Sequence, residues 1–152
     1  MTAVSKGLAA DSYIETAEGP IRLADAPGKG FAVLTRLPDG QLGFRQYLKL
    51  EAHEDVPLVR VSFDSGHAVL AGRGHIFYRH GMEGVAAEAL QPGDRLETAY
   101  HYPPGYSPPG HEIQHPGITV RAVEAAGQGR ILTGTVRDTH ALFLTAGVLC
   151  AE

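Results

Sequence analysis

What the chain has little of narrows it first. It carries one cysteine, Cys150; without a second thiol no internal disulfide forms, and a reducing compartment is the simpler expectation. Positive charge is short as well. Its 13 Lys and Arg against 17 Asp and Glu give a net charge of −4 and a pI near 6.0, so the basic footprint that nucleic acid demands is missing and nucleic acid is not an expected partner. Long apolar runs are absent too. Nothing approaches the ~20 residues of a membrane span, and "MTAVSKGLAADSY" holds no apolar core of about seven residues, so no membrane association is expected and a cytoplasmic location is favoured.

What is present is a 43% hydrophobic chain of 152 residues, enough to bury roughly 70% of its unfolded surface around one core. A single domain over 1–152 is expected. The regular segments are short, β-branched or alternating, and Gly, Pro and Asp separate them, which is an all-β pattern. In "FAVLTRLPDGQLGFRQYLKL" the residues Pro38, Asp39 and Gly40 sit between two strand-like runs, a hairpin signature because Asp and Gly tolerate a tight reversal. "PLVRVSFDSGHAVLAGRGHIFYRHG" repeats the device around "DSG", with Val59, Val61 and Phe63 sharing one face and His75 inside a strand-like run. "EALQPGDRLETAY" reads as a brief helical turn followed by a strand. "ITVRAVEAAGQGRILTGTVRD" reads as a further hairpin around "AAGQG".

Between these lies "HYPPGYSPPGHEIQHPG", residues 101–117, whose prolines and glycines deny it ladders and helices; it is expected to be one long projecting loop. His101, His111 and His115 fall in it at spacings of ten and four. With Glu112 as a fourth donor they could converge on zinc, although the spacing fits no standard finger. Tyr100, Tyr102 and Tyr106 among the prolines instead suggest a contact surface for a protein partner, the reading we prefer. No cofactor and no metal site is therefore expected.

Three ordered segments carry a resemblance. "GLAADSYIETAEGPIRLAD" is similar to an opening block in which a nucleophilic Cys precedes Leu-Ala-x-Asp-Thr, a strand and a Gly turn. "VLAGRGHIFYRHGMEGVAAEALQPGDRL" is similar to a second block with Thr-x-x-His and a Leu-x-Pro-Gly-Asp element. "TGTVRDTHALFLTAGVLCAE" is similar to a closing block ending Gly-Val-Leu-x-His-Asn. Together they resemble the Hint family, the fold shared by Hedgehog autoprocessing domains and inteins, in a minimal form without an endonuclease insert. The resemblance implies an all-β Hint horseshoe of mainly antiparallel strands and hairpins, with first and last strands side by side and Gly7 and Cys150 on neighbouring strands.

It also implies chemistry. In a working member a thiol attacks the upstream peptide carbonyl, the Thr-x-x-His pair holds that peptide and protonates its departing nitrogen, and a terminal Asn cyclises to cut the downstream bond. Carried over, the nucleophile position falls on Gly7, the Thr on Gly72, and the closing His and Asn on Ala151 and Glu152. A carboxylate common before the closing strand falls on Thr133. None of the four principal replacements can react, and loss of a nucleophile from a concerted site costs about a millionfold. His75 and His140 are the family histidines that remain, each with a structural alternative; for His140 this is capping its own turn through Asp138 and Thr139. Ser5, the nearest hydroxyl, lies two residues upstream of the family position, where in-line attack tolerates little misplacement. Cys150, between apolar neighbours, reads as a core residue.

The expected function is thus a degenerate autoprocessing domain, inactive in splicing and self-cleavage, acting as scaffold or binding module toward a flanking polypeptide or protein partner. The alternative is a genuine self-processing domain whose reactive residues were substituted to trap the precursor. If the alignment holds, Gly7→Cys with Gly72→Thr is expected to restore upstream cleavage, and Ala151→His with Glu152→Asn the downstream step.

Overall fold

The computed structural model describes residues 5–26, 31–98 and 118–152; the 101–117 segment with its histidines, and Tyr100, Tyr102 and Tyr106, lie outside them. Apart from two single 3-10 turns, Leu23–Asp25 and Ala87–Ala89, every regular element among the described residues is a strand, as the composition predicts. In chain order these are β1 (Leu8–Ala9), β2 (Tyr13–Thr16), β3 (Gly19–Arg22), β4 (Phe31–Arg36), β5 (Leu42–Phe63) and β6 (Ala68–Gly72). They are followed by β7 (Ile76–Arg79), β8 (Glu83–Ala86), β9 (Arg95–Leu96), β10 (Ile118–Val136), β11 (Ala141–Phe143) and β12 (Leu149–Ala151). All pair antiparallel, in the order β11-β12-β7-β9-β10-β1-β6-β5-β4-β2-β3, with β8 on β7 and a second pairing of β10 with β5.

The turn chemistry places two reversals where it was read. Leu37 N–H donates to the Gln41 carbonyl at 2.8 Å and Gly40 N–H to the Leu37 carbonyl, with Gly40 at a φ of +89° that a side chain would resist. After β5, Phe63 N–H donates to the His67 carbonyl at 2.9 Å around the "DSG" turn. The alternation holds as well: Val59, Val61 and Phe63 are buried while Arg60 between them is exposed. The core gathers the fully buried Leu8, Ile14, Tyr47, Phe63, Phe77 and Leu142, each worth about 1.5–3 kcal/mol for an aliphatic or aromatic side chain removed from water.

Two expectations are corrected. "AAGQG" is no hairpin: β10 runs unbroken for 19 residues along β5, itself 22 residues long and continuous through "EAHED" and Pro57. The register shifts between Ala125 and Gln128, where Gly127 has a φ of +73°. An extra residue with a left-handed glycine bends a strand as readily as it reverses one, and Pro57 faces Gln128 at this bulge, where a missing N–H interrupts no regular ladder. His75, second, lies not inside a strand but in the turn between β6 and β7.

Candidate functional site

The site is built on that turn. β1 is wedged between β10 and β6, with Leu8 opposite both Leu132 and Ala71, which buries Gly7 just ahead of it. Gly7 accepts a hydrogen bond at its carbonyl from Gly72 N–H (2.9 Å) and donates its own N–H to His75 Nδ1 (3.0 Å) across 68 residues of sequence. The turn is tight, His75 N–H donating to the Gly72 carbonyl at 3.0 Å. The 3-10 turn that follows β8 braces it, through Ala87 N–H to the His75 carbonyl and Glu88 N–H to the Arg73 carbonyl.

The His75 ring is completely buried and meets Phe77 edge-on, with centroids 5.5 Å apart and planes at 83°. Because Nδ1 accepts from Gly7, the neutral ring carries its proton on Nε2. Nε2 has no partner at bonding geometry. Burial lowers the pKa from 6.5 to about 4; the Ala151 backbone opposes this and the Lys6 charge adds to it. At neutral pH only about one ring in a thousand is then protonated. His75 therefore orients and polarises the nitrogen of the Lys6–Gly7 peptide, with no side chain at position 7 to attack the carbonyl on its other side.

The chain's other end arrives through β12, paired with β11 (Ala141 with Ala151) and with β7 (Cys150 with Phe77). First and last strands are consequently not side by side, as the resemblance implied, and Gly7 and Cys150 are not on neighbouring strands. β1 neighbours β6 and β12 neighbours β7, so the two ends meet across the β6–β7 turn, on either side of His75. Cys150 is fully buried, and desolvation pushes its thiol pKa well up. It is a packed apolar residue with no thiolate to offer.

His140 does not cap its own turn through Asp138 and Thr139, because both have other partners: Asp138 faces Arg45 at 3.4 Å, and Thr35 Oγ1 donates to Thr139 Oγ1 at 2.8 Å. The exposed ring instead bonds through Nδ1 to Glu152 Oε1 (3.0 Å). Glu152 Oε2 accepts from the buried Val136 N–H (2.5 Å). Glu152, on which the resemblance placed the closing Asn, thus ties the closing strand to the end of β10. Glu152→Ala should cost about 1–3 kcal/mol in urea unfolding by orphaning that N–H. His140→Ala, at an exposed pair, should cost under about 1 kcal/mol.

Sequence reasoning missed Lys6 as a partner of this site, and it named Thr133 and Ser5 without showing what they touch. Thr133 presents its methyl to position 7, where a Cβ would lie 3.2 Å from Cγ2, while its hydroxyl meets His53 Nε2 at 3.2 Å. Lys6 acts on the His75 charge. Ser5 packs on the β6–β7 turn, its carbonyl accepting from Gly74 N–H (2.9 Å). All three arise from pairings no spacing encodes. The site is filled by the chain itself; a cleft of about 290 Å³ lies at the other end of β1, lined by residues including Ala9, Tyr13, Val69 and Leu144, and by none of Gly7, His75, His140 and Glu152. Among the described residues no three His, Cys, Asp or Glu are grouped to hold a metal.

No protein-family model and no curated protein matches this sequence. Solved structures do. The bacterial intein-like domain from Clostridium thermocellum superposes with a TM-score of 0.78 at 19% identity, over 98% of this chain and 100% of that one. The Ssp DnaB mini-intein variant M86 gives 0.78 at 13% identity, over 100% and 96%. The DnaX mini intein from Spirulina platensis gives 0.74 at 14%, over 97% and 99%. At such identities the likeness establishes architecture, and the architecture is an all-β fold of the intein type. The chain has the Hint fold of a minimal intein-like domain.

Proposed function

We propose that this Hint-fold domain has lost autoprocessing and serves as a scaffold that holds flanking polypeptide. The observation that carries the reading is the bond from Gly7 N–H to His75 Nδ1: the peptide that working members cleave is seated and polarised, yet position 7 has no side chain. Position 152 offers a carboxylate already engaged with His140 and Val136 N–H, which does not cyclise as an Asn amide does. The trapped-precursor alternative fits less well. A residue installed to stop a reaction leaves room for the one it replaced, whereas a Cβ at Gly72 would stand 2.2 Å from the Ser5 carbonyl oxygen.

The test is a fusion of the chain between two reporter proteins, followed over a day by gel and mass spectrometry. One full-length species is expected, with no release upstream of Gly7 or after Glu152. Appearance of either fragment, or of joined reporters, would overturn the proposal.

A further inference from the structure

The replacements at the β6–β7 turn do more than delete chemistry. Just upstream of β1, the segment Ser5–Gly7 lies along the turn: Gly72 N–H donates to the Gly7 carbonyl, Gly74 N–H to the Ser5 carbonyl, and Gly7 N–H to His75 Nδ1. The approach at Gly72 is closer than a side chain there would permit, and a side chain at Gly74 would have to displace that of Ser5. A Cβ on Gly72 would meet the Ser5 carbonyl oxygen at 2.2 Å and carbon at 2.9 Å, and one on Gly74 would meet Ser5 Oγ at 2.5 Å and Cβ at 3.2 Å. Real Cβ contacts essentially never fall under 3.0 Å. The threonine that the family resemblance places at 72 is therefore incompatible with the strand as it lies.

We propose that Gly72 and Gly74 form a clamp for an extended peptide strand, occupied by the chain's own segment Ser5–Gly7, with Gly72 bare to admit its main chain and Gly74 bare to admit the side chain at position 5. Main-chain hydrogen bonds give the hold, and the two clearances give the selectivity. The clamp deepens the scaffold reading and rests on it, since the strand it grips is the polypeptide that precedes the site. It fixes the direction in which that polypeptide leaves the domain. It also shields the Lys6–Gly7 bond, which a protease must draw out extended to cut.

Two observables follow in the full chain: hydrogen exchange of the Gly7, Gly72 and Gly74 amides, and tryptic cleavage after Lys6, with β4–β5 hairpin amides as the control for folding. Gly74→Ala should raise both rates by about tenfold or more. Adding Ser5→Gly should return them to within about threefold of the wild type, because the offending contact is with the Ser5 side chain. Gly72→Ala should raise them likewise, and Ser5→Gly should not rescue it, because that contact is with the main chain. If Gly74→Ala unfolds the whole domain, refolding by Ser5→Gly supports the clamp and continued unfolding overturns it. Unchanged exchange in a folded Gly74→Ala, or rescue of both glycine variants alike, also overturns it. Failure of the scaffold reading shows separately, as release of residues 1–6 from the wild type with no protease present.

Discussion

Gly7→Cys combined with Gly72→Thr should not restore cleavage; it should lower stability by about 4 kcal/mol or more. Restoration is what the sequence alone suggests. Gly7, however, has a φ of +140°, and its Cβ would lie 2.6 Å from Ile131 Cδ1 and 3.0 Å from the Leu132 carbonyl oxygen. A non-glycine residue in such backbone costs about 1–3 kcal/mol, overpacking costs about as much again, and Gly72→Thr adds the collision with Ser5. Urea unfolding with the single and double variants measures the loss, and dithiothreitol treatment followed by mass spectrometry looks for fragment 1–6. A stable double variant that releases this fragment in thiol would show that the site kept room for its lost chemistry.

The second large effect is a loss of stability in mild acid that belongs to His75. Its pKa is about 4 in the folded chain against an ordinary 6.5. Above pH 6.5 the ring is neutral whether folded or unfolded, and contributes no pH dependence. Between pH 6.5 and 4 the unfolded chain takes up a proton that the folded chain refuses, so stability falls with falling pH, by about 3 kcal/mol in total, and levels off below pH 4. His75→Asn keeps an acceptor near the Nδ1 position for Gly7 N–H and does not titrate. Unfolding free energies at pH 7 and pH 4 should therefore differ by about 3 kcal/mol more in the wild type than in this variant, the carboxylate contributions common to both cancelling. Parallel profiles would mean that His75 is charged when buried, or that water reaches it.

Local chemistry made part of this molecule legible. The reversals at Pro38–Gly40 and Asp64–Gly66 are written in residues that tolerate tight turns, and the alternation through Val59, Val61 and Phe63 marks the face that packs inward. "AAGQG" carries the same turn chemistry and yet bends a continuous strand, because the choice between reversal and bulge is made by β5 pairing alongside. The order of blocks pointed to His75, Gly7, His140 and Glu152. It could not show that His75 holds the Gly7 amide from 68 positions away, or that Glu152 binds both Val136 N–H and the His140 ring. Nor does any pattern announce that glycines at 72 and 74 are bare for a strand to lie on them. Absent side chains are visible in a sequence, but what occupies their volume is decided by the fold.

The central claim, that no acyl transfer occurs at the Lys6–Gly7 peptide, is tested most directly with hydroxylamine, which captures any ester or thioester formed there by whichever hydroxyl or thiol. The purified chain, incubated in neutral hydroxylamine and weighed intact, should give one mass, that of the full 152 residues. Recovery of residues 1–6 as a hydroxamate, with a complementary chain beginning at Gly7, would contradict the account and show that a nucleophile reaches the peptide His75 polarises.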